Sequence, residues 1–203
     1  MVIIMNELTN DFRTIMGNTL PIIILVSVIG IIFRIYMLKI NNKKIRLSRE
    51  VPNLFFLIYI LCLFQIVTSQ DISSTHGINI TFFKELTRYE LGTRLFYRNI
   101  IGNIMLFVPF SFFIAHIFKI KNRWLVYLFT FLVSITIETT QLYIGRAFDV
   151  DDVLLNFIGG IIGYFIYNLV NNVILKNVNK ENKDIIIAVL LVIVVSGIFM
   201  VIV

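Results

Sequence analysis

The sequence has few of the residues on which disulfide-rich domains and zinc proteins depend. It contains one cysteine and two histidines among 203 residues. Cys62 therefore has no intrachain disulfide partner, and its position inside an apolar segment predicts a small buried hydrophobe. His76 and His116 have no cysteine or second histidine at ligand spacing, so we do not expect a zinc site of the usual kind. We predict neither a metal nor another cofactor.

Familiar catalytic motifs are also absent from the sequence. There is no His-Glu-x-x-His pair of a zinc protease, no glycine-rich loop to cradle a phosphate, and no recognisable nucleophile motif. The apolar segments show no evident inverted repeat, which disfavours a transporter. None of these absences excludes an enzyme of an unfamiliar kind.

The sequence is rich in apolar residues, which make up 58% of the chain and give a mean hydropathy of +0.90. These residues come in blocks of about 20, which is the length that a helix needs to cross a bilayer core. The composition therefore predicts an integral membrane protein. The net charge of +6 is explained by cytoplasmic loops and anionic lipid headgroups, so we expect no nucleic-acid partner.

Six apolar runs predict an all-α polytopic bundle with about six transmembrane helices. The runs occupy residues 18–38, 53–69, 99–118, 124–143, 153–175 and 184–203. The first run lacks a small-x-small cleavage site, so we expect an anchor and not a signal peptide. We divide this single unit into a two-span N-terminal anchor with an outer interfacial segment, a three-span core, and a C-terminal span. These parts cover residues 1–98, 99–175 and 176–203.

Basic residues predict the orientation of these spans. Together with Arg34, the connections 39–49, 119–123 and 176–183 contain twelve of the 18 lysines and arginines. Cytoplasmic loops are enriched in these residues, so both termini are predicted to be extracytoplasmic. Strong use of Ile, Asn and Lys is typical of a low-GC bacterium. We therefore expect a multi-pass protein of the bacterial cell membrane, with the basic connection 70–98 as the exception to the charge bias.

The connection 70–98 has two interpretations. Its apolar residues alternate with basic ones, which favours a short amphipathic helix on the outer interface. The alternative is a solvated loop with a helical turn. Residues 79–81 match a glycosylation sequon, a triplet that often arises by chance.

Polar residues gather near the outer ends of the third, fourth and fifth runs. An ionisable residue inside a membrane helix needs a partner, a cavity or a function, and Glu138 is such a residue. Asn103, Glu138 and Asn156 come from three helices yet lie at similar depth, which predicts a polar pocket that opens outward. The predicted ligand-binding residues are Asn99, Asn103, Glu138, Gln141, Arg146, Asp149, Asp152 and Asn156.

Structural roles are the alternative for most of these residues. Asp149 is suited to cap the fifth helix, with Asp152 favoured by the helix dipole. Asn103 and Asn156 are suited to hydrogen-bond neighbouring helices. Glu138 is the residue least easily explained by structure alone.

Small residues and a proline have their own structural interpretations. Gly159 and Gly163 form a small-xxx-small pattern that is typical of close helix packing in membranes. Pro109 lies inside the third run, where a kink is its usual meaning.

Residues 99–164, about a third of the chain, resemble the VanZ family of membrane proteins. Residues 99–110 read NIIGNIMLFVPF and resemble the family pattern N-x-x-x-N-x-x-x-F-x-P-x-G, with Ser111 at the final glycine. Residues 80–83 depart from an N-L-x-P-F-like stretch that is common there. The more specific part is IETTQL at residues 137–142. It continues with Arg146, Asp149, Asp152, Asn156, Gly159, Gly163 and Tyr164.

The resemblance implies a role associated with resistance to glycopeptide antibiotics such as teicoplanin. In this interpretation, the pocket binds a lipid-linked or glycopeptide-like ligand, or a cell-envelope partner, at the outer membrane surface. A second hypothesis is a membrane enzyme acting on an amphiphilic envelope substrate. Glu138, Asp149 and Asp152 would then be the catalytic candidates, with Glu138 as general base or metal ligand. A third is a small transporter or a scaffold.

Overall fold

The computed structural model describes residues 2–69, 77–83, 87–179, 182–187, 189–190 and 193. Most of the chain is helical. The helices are α1 (Val2–Ile40), α2 (Leu47–Ser69), α3 (Gly102–Ile117), α4 (Arg123–Tyr143) and α5 (Val150–Leu169). Two short parallel strands, β1 (Gly77–Asn79) and β2 (Ala147–Asp149), join the connection before α3 to the connection before α5.

Four helical segments are long and apolar enough to cross a membrane. They are Pro21–Ile40, Asn99–Ile117, Arg123–Tyr143 and Val150–Ile174. They correspond to the first, third, fourth and fifth predicted runs, which confirms a helical membrane protein. Helix α2 covers the second run but is not among these four. Most of the sixth run lies outside the described residues, so the count of six stays a prediction.

Helices α3 and α5 form the tightest contact in the bundle. A Cβ atom added to Gly159 would overlap the carbonyl oxygen of Ile104, and one added to Gly163 would overlap that of Val108. Only glycine permits this approach of one backbone to another, which confirms the predicted packing role of these two residues. The close contact holds α3 and α5 side by side.

An aromatic cluster attaches α2 to this pair. The Phe56 and Tyr59 rings lie 5.3 and 5.8 Å from the Phe113 ring, and the Tyr59 hydroxyl donates a hydrogen bond to the Leu106 carbonyl. Phe113 is fully buried. In contrast, α1 packs along α2 and leaves large apolar residues such as Phe33 exposed. Such a surface fits contact with lipid chains.

Helix α5 begins three residues earlier than its predicted apolar run. Asp149 is its N-cap, and its carboxylate accepts a hydrogen bond from the backbone N–H of Asp151 at 2.9 Å. This confirms the predicted cap. The acidic residues after the cap lower hydropathy, so an apolar run cannot reveal this first helical turn, although a cap and first-turn acids favour it.

The connection before α3 contains little regular structure where it is described. Residues 77–83 and 87–98 hold β1, turns, the helical residues 87–88 and the helical turn Arg94–Phe96. A π-helical turn, Tyr97–Ile101, then leads into α3. Residues 84–86, which belong to the predicted amphipathic helix, lie outside the described residues.

Candidate functional site

The site lies where α4 ends and α5 begins, and a tight turn builds it. The backbone N–H of Arg146 donates to the Gln141 carbonyl at 2.9 Å, and Gly145 has a φ of +90°. Glycine adopts this left-handed conformation at little cost, so the chain reverses within a few residues. This chain reversal places Asp149 beside the carboxyl-terminal part of α4, where Glu138 lies.

Glu138 is the buried carboxylate at the centre of the site. Its side chain is 1% exposed, and Oε2 accepts a hydrogen bond from the backbone N–H of Asp149 at 3.1 Å. The charges of Asp152, Arg146 and Asp149 act on this carboxylate. The amino end of α5 also favours a nearby anion. Glu138 thus joins α4 to the start of α5.

Asp149 connects the same point to the strand β1. Besides capping α5, its Oδ2 accepts a hydrogen bond from the side-chain amide of Asn79 at 2.8 Å. The two residues are opposite each other in the parallel register of β1 and β2. Two residues later in the chain, the buried Asp151 accepts a hydrogen bond from the backbone N–H of Phe83 at 2.7 Å. These bonds fasten residues 77–83 over the amino end of α5.

Two further polar pairs connect the helices. The Asn103 amide on α3 donates to Asp152 Oδ1 at 2.6 Å, and the Asn156 amide on α5 donates to Ser134 Oγ on α4 at 2.9 Å. Asn156 is buried, and its Oδ1 has no hydrogen-bond partner among the described residues. Both asparagines therefore hydrogen-bond a neighbouring helix, as their structural alternative predicted.

The structure brings together most, but not all, of the sequence-predicted residues. Gln141 is buried close to the turn, and Asn156 lies one helical turn below Asp152. Asn99 is different, because its amide donates to the Leu95 carbonyl one turn earlier, at 2.9 Å. We call the following set the Glu138 cluster: Asn79, Asn103, Glu138, Arg146, Asp149, Asp151 and Asp152.

Sequence reasoning missed three contributors to this cluster. Asn79 belongs to the predicted sequon, whereas Asp151 and the Phe83 backbone are not among the predicted site residues. A signal existed for Asp151, since three acids in four residues exceed what one helix cap needs. No local pattern points to Asn79, because its partner is 70 residues away.

The chemistry of the cluster is that of hydrogen-bond acceptors. Four carboxylates accompany one arginine, so charged acceptors outnumber charged donors in the cluster. No group of three or more His, Cys, Asp or Glu residues is arranged to hold a metal ion within the described part of the chain.

Comparison with known proteins identifies the family. The family model described as VanZ/LLP1 matches residues 53–171 of the chain. The chain belongs to the VanZ/LLP1 family. The matched residues include α3, α4 and α5 and every member of the Glu138 cluster. The site therefore belongs to the part of the chain that this VanZ/LLP1 protein shares with its family.

A curated relative supports the same assignment. Over 89 residues the chain is 30% identical to Protein VanZ of Enterococcus faecium, an alignment that covers 43% of this chain and 53% of the relative. The chain thus spans about half the length of the curated relative that it matches. No solved structure matches the chain.

The departure from the VanZ pattern at Ser111 has a structural explanation. Ser111 is fully buried, and its hydroxyl lies 2.8 Å from the Thr130 hydroxyl on α4. Gly160 on α5 provides the space, since a Cβ there would lie 3.0 Å from Ser111 Oγ and closer still to Thr130. The serine therefore adds a hydrogen bond between α3 and α4.

Proposed function

We propose that this VanZ-like protein acts at the outer face of the bacterial cytoplasmic membrane and lowers susceptibility to teicoplanin-type glycopeptides. In this proposal, both termini are extracytoplasmic and the Glu138 cluster binds an envelope ligand or a protein partner. The observation that carries the proposal is the burial of Glu138 at the end of a membrane helix, inside the family-matched region. A buried membrane carboxylate is costly, which favours a functional reason for it.

The surroundings of the cluster favour an amphiphilic ligand. An apolar groove of about 610 Å³ begins beside the cluster at Phe82 and Val150 and runs along α4 and α5 to Trp124. The acceptors of the cluster would bind amino or hydroxyl groups, and the groove would hold an apolar chain. A lipid-linked envelope precursor or an acylated glycopeptide combines these two chemistries.

The decisive experiment replaces Glu138 in cells. In a deletion strain, plasmid-borne wild-type protein is expected to restore teicoplanin tolerance, whereas Glu138→Gln leaves the strain as susceptible as the deletion. Glutamine keeps the shape of the side chain but removes its charge. Its NH₂ group can also face the Asp149 N–H, and two donors cannot form a hydrogen bond with each other. Glu90→Gln is the matched control, because Glu90 is exposed on the loop before α3, and it should restore tolerance fully.

Membrane levels of all three proteins must be equal by immunoblot for this comparison. Full restoration by Glu138→Gln would show that the site does not act through this carboxylate. Unchanged teicoplanin and lipoglycopeptide susceptibility on both deletion and overexpression would refute the resistance proposal. Turnover of a labelled lipid-linked precursor by purified protein, lost in Glu138→Gln, would instead support the membrane-enzyme alternative.

A further inference from the structure

A second polar cleft lies at the opposite end of the bundle from the Glu138 cluster. It has a volume of about 490 Å³ and is formed where α1, α2 and α3 meet. Its lining includes the basic residues Arg34, Arg49 and Lys119. It also includes His116, which is positively charged when protonated. Ile117 and Phe118, at the end of α3, add apolar surface to the same cleft. The cleft therefore combines cations with an apolar wall.

Acidic partners compensate only part of this positive charge. The Arg34 guanidinium donates to both oxygens of Glu50, at 2.7 and 3.1 Å. Asp184 also lines the cleft, and its Oδ1 lies 3.7 Å from His116 Nε2. In the part of the chain that the structure describes, the side chains of Arg49 and Lys119 make no ion pair. Two positive charges in one cleft are thus available to an anion.

The backbone at Lys119 is unusual for a lysine. It follows the last turn of α3 with a φ of +53°, in the left-handed region where glycine or asparagine is typical after a helix. This conformation disfavours residues that have a Cβ atom, yet the sequence has a lysine there. A charge at the carboxyl end of α3 is favourable, and this one also lines the cleft.

The cleft continues into an apolar groove. The groove has a volume of about 420 Å³ and lies between α1 and α2, and it shares Arg34 and Asn53 with the cleft. Its lining includes Ile31, Leu54 and Leu57. A ligand bound to both spaces needs an anionic head and an apolar chain, which a free phosphate ion lacks.

From these observations we infer that the cleft and groove form a specific site for an anionic phospholipid. The phosphate lies between Arg49 and Lys119, and an acyl chain follows the groove between α1 and α2. Basic pockets between membrane helices recognise anionic headgroups in this way. The four basic or protonatable residues of the cleft, at the ends of three helices, also place it at headgroup depth. This site is separate from the Glu138 cluster and does not depend on its function.

The test measures lipid binding by the purified, delipidated full-length protein. Short-chain phosphatidylglycerol is expected to bind saturably in native mass spectrometry and to raise the thermal midpoint, whereas phosphatidylcholine with the same chains does neither. Arg49→Gln combined with Lys119→Asn should weaken phosphatidylglycerol binding about tenfold or more, since each basic group contributes to headgroup attraction. Asparagine is chosen because it tolerates the left-handed backbone.

The matched control is Lys43→Gln combined with Lys44→Gln. It removes the same charge from exposed residues of the neighbouring connection that do not line the cleft, and binding should stay within about twofold of wild type. Equal weakening in both double variants, or none in either, would overturn the site. Equal affinity for inorganic phosphate or glycerol 3-phosphate would overturn the lipid assignment. A circular dichroism spectrum and thermal midpoint without lipid establish that each variant is folded.

Discussion

Asp149 is the residue on which the geometry of the site depends. Its backbone N–H donates to Glu138, one carboxylate oxygen accepts from Asp151 and the other from Asn79. Asp149 can make all three contacts, one through its backbone and two through its side chain, because it is the N-cap of α5 in extended backbone conformation, with φ of −121°. Its roles in capping and in positioning Glu138 are therefore inseparable.

A substitution at Asn79 tests this arrangement. Asn79→Ala removes a hydrogen bond to a carboxylate and should destabilise the protein by about 1.5–3 kcal/mol. Asn79→Asp should destabilise it more, because a second carboxylate would face Asp149 Oδ2 at the 2.8 Å now spanned by the amide. The measurement is the apparent melting temperature in detergent.

The control for charge is Asn177→Asp, since Asn177 is exposed in the connection after α5. Its melting temperature should match that of wild type. If Asn79→Asp were no less stable than Asn79→Ala, the pairing of Asn79 with Asp149 would be wrong.

At the scale of elements, the approach of α5 to α3 determines where polar side chains meet. Gly159 and Gly163 contact the α3 backbone directly, and Asn103 on α3 reaches Asp152 in the first turn of α5. Separating the two helices by the width of a methyl group would lengthen this bond beyond hydrogen-bond distance. Packing in the helix interiors and the polar contacts at their ends are therefore coupled.

Gly163→Ala is expected to lower the free energy of unfolding by about 1–3 kcal/mol, because backbone atoms of α3 cannot move aside for the new methyl group. Gly30→Ala is the control. Its Cβ would meet only the flexible end of the Leu57 side chain, at 2.9 Å. Thermal unfolding in detergent compares the two variants. A Gly163→Ala protein as stable as Gly30→Ala would contradict the close contact of α3 with α5.

At the scale of the whole molecule, the two ends of the bundle differ in charge. One end carries the four carboxylates of the Glu138 cluster, and the other carries the cleft with Arg34, Arg49 and Lys119. The positive-inside rule predicts that the basic cleft lies in the cytoplasm and the carboxylates outside. In the predicted orientation, the two proposed ligands bind on opposite sides of the membrane.

Cysteine labelling tests this orientation in a Cys62→Ala background. Tyr143 is 89% exposed at the end of α4, so Tyr143→Cys should react with a membrane-impermeant maleimide in intact cells. Lys43→Cys, at the exposed connection after α1, should react only after permeabilisation. The reverse pattern would place the Glu138 cluster in the cytoplasm and remove the proposed outward-facing site.

Local information in the sequence determined the four apolar membrane helices, the Asp149 cap and the position of Glu138 inside one of these helices. An apolar helix is recognised from the summed hydropathy of neighbouring residues, and a helix cap from a few consecutive positions. Both can therefore be predicted without knowledge of the tertiary structure. Only the tertiary structure decided which polar groups touch. Asn79 joins the site through a strand pairing that spans 70 residues of sequence, and Asn99 stays outside because its amide bonds its own helical turn. Such contacts depend on the path of the chain in space, which no local pattern encodes.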